Sequence, residues 1–169
     1  MDAGDIFAQV KIKIDAQETA GHLRSRMAIV GADLLLKTIN SLENNAYTLA
    51  AQDSSKVTLA PKLTKQLGLI SWAKEARSIH NLIRGLNPKP GVYTHYQWKI
   101  LKILVAEVVA VDSKQKVVGE VLEITQEGFV VATADQGILV RQVHLESSKV
   151  MDARSFTLGH ALQVGFKFF

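Results

Sequence analysis

Val10, Ile12 and Ile14 alternate with Lys11 and Lys13, a period of two that predicts a half-buried strand over residues 6–14. The period then changes. Leu23, Met27, Val30, Leu34, Leu35, Ile39 and Leu42 recur at helical spacing and predict a long amphipathic helix. Thr19 is placed to cap its start and Asn44-Asn45 to end it. Met27 falls on the apolar stripe and is expected in a core rather than as a ligand. One strand and one helix do not make a domain, because a lone strand leaves both edges unpaired. Residues 1–45 are therefore expected to be the last part of a larger α/β unit.

In residues 46–70 the helical period is lost and Thr, Ser, Asp and Pro become frequent. A connector of this length is a linker or a functional segment. Ala76, Ile79, Ile83 and Leu86 next return at spacings of three and four, giving a short helix within residues 71–86. Gly85, Asn87-Pro88 and Pro90-Gly91 close it with a rigid turn, since proline lacks the donor and pushes its predecessor out of helical space. From Trp98 onward the period is two again. Strands are expected from Trp98 through Val111, over Val117–Ile124, over Gly128–Thr133 and over Ile138–Leu145, with Asp135-Gln136-Gly137 as a turn. Gly119 marks a bulge or sharp bend. A short helix or cap over residues 151–162 and a closing strand over Val164–Phe169 complete the pattern. Short strands at this spacing predict a small closed β-barrel. The class is thus α+β: an incomplete strand–helix portion (residues 1–45), a basic linker (46–70) and a barrel domain (71–169).

Composition narrows the chemistry. The 169 residues are 47% hydrophobic and contain no cysteine. That is enough to bury a core, and it excludes disulfides, zinc–thiolate sites and cysteine nucleophiles. No apolar run approaches the length of a membrane span. The start, Met-Asp-Ala-Gly-Asp-Ile-Phe, is acidic and has no signal-peptide core, so a cytoplasmic protein is expected. The net charge of +4 is uneven. Residues 1–59 hold six Lys or Arg against seven Asp or Glu, a net −1, whereas residues 60–169 hold fourteen against nine, a net +5. Between Ser54 and Ala106 nine basic residues face one acidic residue, Glu75. A solvated surface accounts for such an excess; so does a polyanion, since phosphate neutralisation dominates nucleic-acid affinity.

Catalytic patterns are thin. No His-x-x-x-His or His-x-x-Glu spacing and no glycine-rich phosphate loop occurs, so neither a metal site nor a phosphate cradle is expected. His80, beside the apolar helix face, is expected to be structural. Asp2 and Asp5, taken alone, are solvated terminal carboxylates. The binding pattern is fuller: Lys62, Lys65, Lys74, Arg77, Arg84, Lys89, Lys99 and Lys102 are interleaved with Trp72, Tyr93, His95, Tyr96 and Trp98. Small barrels hold nucleic acid with such basic grooves and aromatic platforms. The same aromatics, Trp72 and Trp98 above all, could equally be core.

Three runs, Thr58-Leu-Ala-Pro-Lys-Leu-Thr-Lys65, Ile70-Ser-Trp-Ala-Lys74 and Ile79-His-Asn-Leu-Ile-Arg-Gly-Leu-Asn-Pro-Lys-Pro-Gly91, resemble the linker and C-terminal domain of the methionyl-tRNA formyltransferases. Gly119-Glu-Val-Leu122, Val130-Val-Ala-Thr-Ala-Asp135 and Phe156-Thr-Leu-Gly-His160 extend the resemblance to nearly the whole chain. It implies an OB-like C-terminal domain that binds tRNA, preceded by the end of a Rossmann-like catalytic domain. In that family a catalytic Asp follows from a Leu-Asp-Thr-Gly-Asp motif. Met1-Asp2-Ala3-Gly4-Asp5 is similar to it, so Asp2 falls on the catalytic carboxylate, while the family's catalytic Asn and His and its folate-binding strands have no counterpart in this sequence. Three positions depart from the family. Ser71-Trp72-Ala73 stands where Asp-Trp-Ser is usual, which removes a helix-capping serine worth about 1 kcal/mol unless Ser71 takes its place. Lys89 replaces a tryptophan.

The resemblance implies transfer of a formyl group from 10-formyltetrahydrofolate to initiator methionyl-tRNA, as in translation initiation. For this chain alone it implies tRNA binding without catalysis and no bound folate. Lys62, Lys65, Arg77, Arg84, Lys99 and Lys102 are the expected phosphate contacts. Other classes stay open at this point: a folate-dependent formyltransferase of an amino-sugar nucleotide, a formyltetrahydrofolate hydrolase, or a non-enzymatic docking module. Apolar surface on residues 6–42 could also drive self-association.

Overall fold

The structure is a computed structural model and describes residues 4–111 and 117–169. The chain divides into two compact units, Met1–Lys62 and Leu63–Phe169.

In the first unit, helix α1 spans Ala20–Glu43. Thr19 caps it as expected, its hydroxyl accepting from the His22 N–H at 3.3 Å, and Asn44 ends it. The strand expected over residues 6–14 does not form. Only Ile6 is bridged, to Ala50, through reciprocal backbone bonds of 2.8 and 3.0 Å. Alternation gives a segment strand preference, but a strand exists only against a partner, and none pairs with residues 7–14 among the described residues. The segment is tied to α1 instead: Arg26 donates to the Lys13 carbonyl at 2.7 Å while its Nε and Nη2 hold the Glu18 carboxylate at 2.7 and 2.9 Å. Phe7 and Tyr47 meet with ring centroids 5.5 Å apart. No residue of α1 is fully buried. Met27, placed in a core by its spacing, is 53% exposed.

The second unit contains helices α2 (Ala76–Leu86) and α3 (Ala153–His160) and strands β1 (Val92–Tyr96), β2 (Lys99–Val109), β3 (Val121–Thr125), β4 (Gly128–Ala132), β5 (Gly137–Leu145) and β6 (Val150–Asp152). The strands form one six-stranded sheet in the order β1-β2-β5-β4-β3, with β6 also on β5, and every pairing is antiparallel. Strand β2 is long enough to pair β1 near its start and β5 from Leu101 to Val109, with an irregularity around Val105. The helix within residues 71–86 begins at Ala76 rather than near Ser71. Its first N–H is satisfied from far along the chain, by the Asp135 carboxylate at 2.8 Å. That carboxylate does what neither Ser71 nor Glu75 does, since Glu75 makes no side-chain cap bond.

The apolar face of α2 is as expected: Ala76, Ile79, Ile83 and Leu86 are all buried. Each isoleucine contributes roughly 1.5–3 kcal/mol by leaving water. Across the core, Tyr96 meets Phe156 at 5.2 Å and Phe166 at 5.0 Å, and Phe129 stacks on Phe168 at 5.9 Å. Tyr96 Oη donates to the His160 carbonyl at 2.7 Å. The closing strand expected over Val164–Phe169 is reduced to one bridge, Glu120 to Lys167. Gly165 and Phe166 still exchange backbone bonds with Val121 at 2.8 Å, and Phe168 donates to Gly119 at 2.9 Å. Gly119, with φ +85°, turns the chain just before β3 rather than inside it.

Candidate nucleic-acid interface

Period two decides which side chains the sheet shows to solvent. In β1, Val92, Thr94 and Tyr96 point into the core and are buried, while Tyr93 and His95 point outward. In register, Tyr93 faces Lys102 of β2, Lys102 faces His144 of β5, and His144 faces Val150 of β6. One rank across four strands thus reads Tyr93, Lys102, His144, Val150. His95 lies beside Tyr93, ring centroids 5.7 Å apart and edge to face.

The connector adds Lys65. Ile70 donates to the Tyr93 carbonyl at 2.9 Å, and Leu69 bridges Tyr93 in parallel. This draws the 3-10 helical turn Lys65–Gly68 alongside β1. The approach is so close that a Cβ on Gly68 would overlap the Gly91 carbonyl oxygen. Gly91 itself sits at φ +86°, a conformation glycine takes without penalty. The result is a depression of about 230 Å³ lined by Lys65, Pro90, Gly91, Tyr93, Ile100 and Lys102. A second one, about 280 Å³, shares Ile100 and Lys102 and adds His144, Glu146 and Ser147. Together they make a trough with lysines and aromatic rings on its walls. Glu146 is the acid within it, and its carboxylate accepts the Ile100 N–H at 3.1 Å. His144 Nε2 lies 2.9 Å from the Ser148 carbonyl, which can only accept, so that nitrogen carries the proton.

The expected phosphate contacts are not all gathered here. Lys65 and Lys102 share the trough. Lys99 stands three residues from Lys102 on the same strand and so on its opposite face, paired across the hairpin with the buried Tyr96. Arg77 and Arg84 lie seven apart on α2 and hence on one flank of it; Arg84 Nε donates to Asn81 at 2.9 Å. Between them His80 is buried, and its pKa is pushed down by burial first and by the two arginines next. Lys62 ends the first unit. Asp2 lies outside the described residues. Arg141, on β5, is engaged by Glu107 at 3.2 Å and Glu127 at 2.7 Å. Of the two tryptophans, Trp72 is core, 5.9 Å from Phe168 and donating to Thr94 at 3.3 Å. Trp98 is 90% exposed at the tip of the β1–β2 hairpin, which rules out the core reading left open for it. Sequence reasoning passed over His144, although the alternation of β5 already turned it outward.

Two features bear on other chemistries. Among the described residues no group of three or more His, Cys, Asp or Glu could hold a metal ion, and no helix is long and apolar enough to cross a membrane.

The model of the formyl transferase C-terminal domain matches residues 62–161. The methionyl-tRNA formyltransferase of Lachnospira eligens is 38% identical over 169 residues, which cover 98% of this chain and 54% of that protein. That of Alkaliphilus oremlandii is 36% identical over 165 residues, covering 98% and 53%. The chain therefore spans about half the length of the curated relatives it matches. Among solved structures, HypX from Aquifex aeolicus in complex with tetrahydrofolic acid superposes with a TM-score of 0.71 at 17% identity, over 96% of this chain and 29% of that one. An N-formyltransferase from Helicobacter canadensis gives 0.54 at 21% identity, over 83% and 51%. At these identities the two structures speak for the fold alone.

Proposed function

The chain belongs to the formyl transferase family through its C-terminal domain, and from that premise we propose that it is the tRNA-holding part of a methionyl-tRNA formyltransferase. In the whole enzyme a formyl group passes from 10-formyltetrahydrofolate to initiator methionyl-tRNA in the cytoplasm. Residues 1–45 are the end of the Rossmann-like catalytic domain, 46–70 the linker, and 71–169 an OB-like barrel. The barrel is closed by the C-terminal segment, whose Phe169 carbonyl accepts from Thr94 of β1 at 3.4 Å while its neighbours bond Gly119 and Val121.

The observation that carries the proposal is the trough of Lys65, Tyr93, Lys102 and His144, which lies inside the matched residues. Lysine ammonium groups bind phosphate as point charges, and such contacts position a nucleic acid without reading its bases. The chain alone binds tRNA and does not catalyse. In its first unit the depression lined by Phe7, Leu34, Lys37, Thr38 and Tyr47 is about 270 Å³ and offers one charged side chain, Lys37. One lysine among apolar and hydroxyl side chains does not fit a folate, whose pterin needs several donors and acceptors at once.

The test uses the 169-residue chain. Fluorescence anisotropy with labelled initiator tRNA is expected to give saturable binding that weakens steeply with salt, and a formyl-transfer assay is expected to give no product. No binding at about 50 mM salt, where phosphate contacts are strongest, overturns the assignment; product formation overturns the absence of catalysis.

A further inference from the structure

The β1–β2 hairpin turns through Gln97 and Trp98, both in the left-handed region at φ +46° and +69°. A two-residue turn of this hand prefers Asn-Gly, because side chains other than those of glycine and asparagine are disfavoured there. A tryptophan at the second position is poor turn chemistry. Nor does packing account for it: the indole is 90% exposed, and among the described residues no other ring meets it. Placing the largest apolar side chain, nine-tenths exposed, at the tip of a strained turn points to a partner outside the chain.

The neighbours say which kind. Gln97 and Lys99 flank the indole, Lys102 follows on the same strand, and the Ser54–Ala106 stretch carries nine basic residues to one acidic. An exposed ring next to a cation, here Lys99, within a basic stretch is an arrangement that stacks nucleobases while the charges hold the phosphates. A protein-binding tip would be expected to carry further apolar groups around it. A base inside a duplex already has both faces covered, so apart from the end pairs of a helix it is an unpaired base that can offer one.

We propose that Trp98 is a stacking site for an unpaired nucleobase of the bound RNA. The site rests on the tRNA-binding assignment and adds to it a contact that phosphate neutralisation does not supply.

The experiment follows the fluorescence of the 169-residue chain, which contains two tryptophans, of which Trp72 is buried. Titration with initiator tRNA or with a single-stranded oligoribonucleotide should quench the exposed tryptophan and shield it from acrylamide. A blunt RNA duplex at the same nucleotide concentration should do both far less, since only its end pairs leave a face open. Trp98→Gly, which suits the turn and should melt no lower than the parent, should weaken single-strand binding about 5- to 140-fold. Trp98→Phe should stay within a few-fold. Full tRNA affinity without quenching, or an unchanged affinity in Trp98→Gly, overturns the stacking site and leaves the tRNA-binding assignment standing. Absence of any tRNA binding by the parent chain overturns both. Self-association that Trp98→Gly abolishes, with RNA binding unaffected, assigns the indole to a protein contact and overturns the site.

Discussion

Replacing Lys65 and Lys102 together by glutamine is the most direct test of the trough. Both ammonium groups line one depression, neither belongs to the buried core, and glutamine keeps most of the side-chain length, so the change removes charge and little else. If all six cations, Lys62, Lys65, Arg77, Arg84, Lys99 and Lys102, contact phosphate, the slope of log affinity against log salt is about −4 to −5.4, at roughly 0.7 per contact for single strands and 0.9 for duplex. A rise from about 50 to about 200 mM salt then weakens parental binding about 300- to 2,000-fold. With two contacts removed the slope falls to about −2.8 to −3.6, and the same rise costs only about 50- to 150-fold. The assay is anisotropy of labelled initiator tRNA at five or more salt concentrations, with thermal melts to confirm that the fold is kept. Arg77→Gln combined with Arg84→Gln, on the flank of α2, gives the comparison pair. A Lys65/Lys102 variant with the parental melting temperature and the parental slope would refute the trough as a phosphate site. A change in the arginine pair alone would move the site to the helix.

Two further predictions concern the scaffold that holds the trough. Gly128 sits at φ +147°, where a Cβ would overlap the Val140 carbonyl oxygen and lie 3.0 Å from the Ala153 Cβ. Gly128→Ala should therefore destabilise the domain by at least about 1–3 kcal/mol through overpacking, and an unchanged urea midpoint would contradict the β4–β5 packing described. Asp135 is held below the ordinary carboxylate range, first by the Ala76 N–H, with the Gln136 N–H and the Thr133 hydroxyl adding to it. A group whose folded pKa is depressed stabilises above its unfolded pKa, near pH 4, and loses that stabilisation as pH falls through the folded value. Asp135→Asn keeps an acceptor and removes the titration, so its urea midpoint should decline less steeply than the parent's below about pH 4. Parallel acid limbs would show that the carboxylate does not cap α2.

The helices were legible because their information is local. The stripe of Ala76, Ile79, Ile83 and Leu86 and the cap at Thr19 each lie within a few turns of sequence, and the structure keeps them. What failed depends on partners distant in the chain. Residues 6–14 have the alternation of a strand, but a ladder needs a second strand, and alternation cannot supply one. Residues 92–96 were passed over as an aromatic cluster, although Val92, Thr94 and Tyr96 alternate inward against Tyr93 and His95 as a strand should. The start of α2 was misplaced because its cap, Asp135, lies 59 residues away. The hairpin tip was hidden because Gln97-Trp98 carries neither of the residues that announce such a turn. The basic stretch itself was plain, yet a count of charges along a chain says nothing about which face each one occupies.

That last point constrains the ligand. Lys99 and Lys102 are three apart, a spacing that aligns side chains on a helix and opposes them on a strand. The structure makes this segment a strand, so the two lysines serve opposite faces of β2, while Arg77 and Arg84, seven apart on α2, share a flank. A straight duplex lying in the Lys65–Lys102 trough reaches one face only. A polyanion that also meets Lys99 must pass round the end of the hairpin, and that end is the Gln97-Trp98 turn. A single-stranded segment can bend there where a duplex cannot, and the side chain it would meet at the bend is an exposed indole.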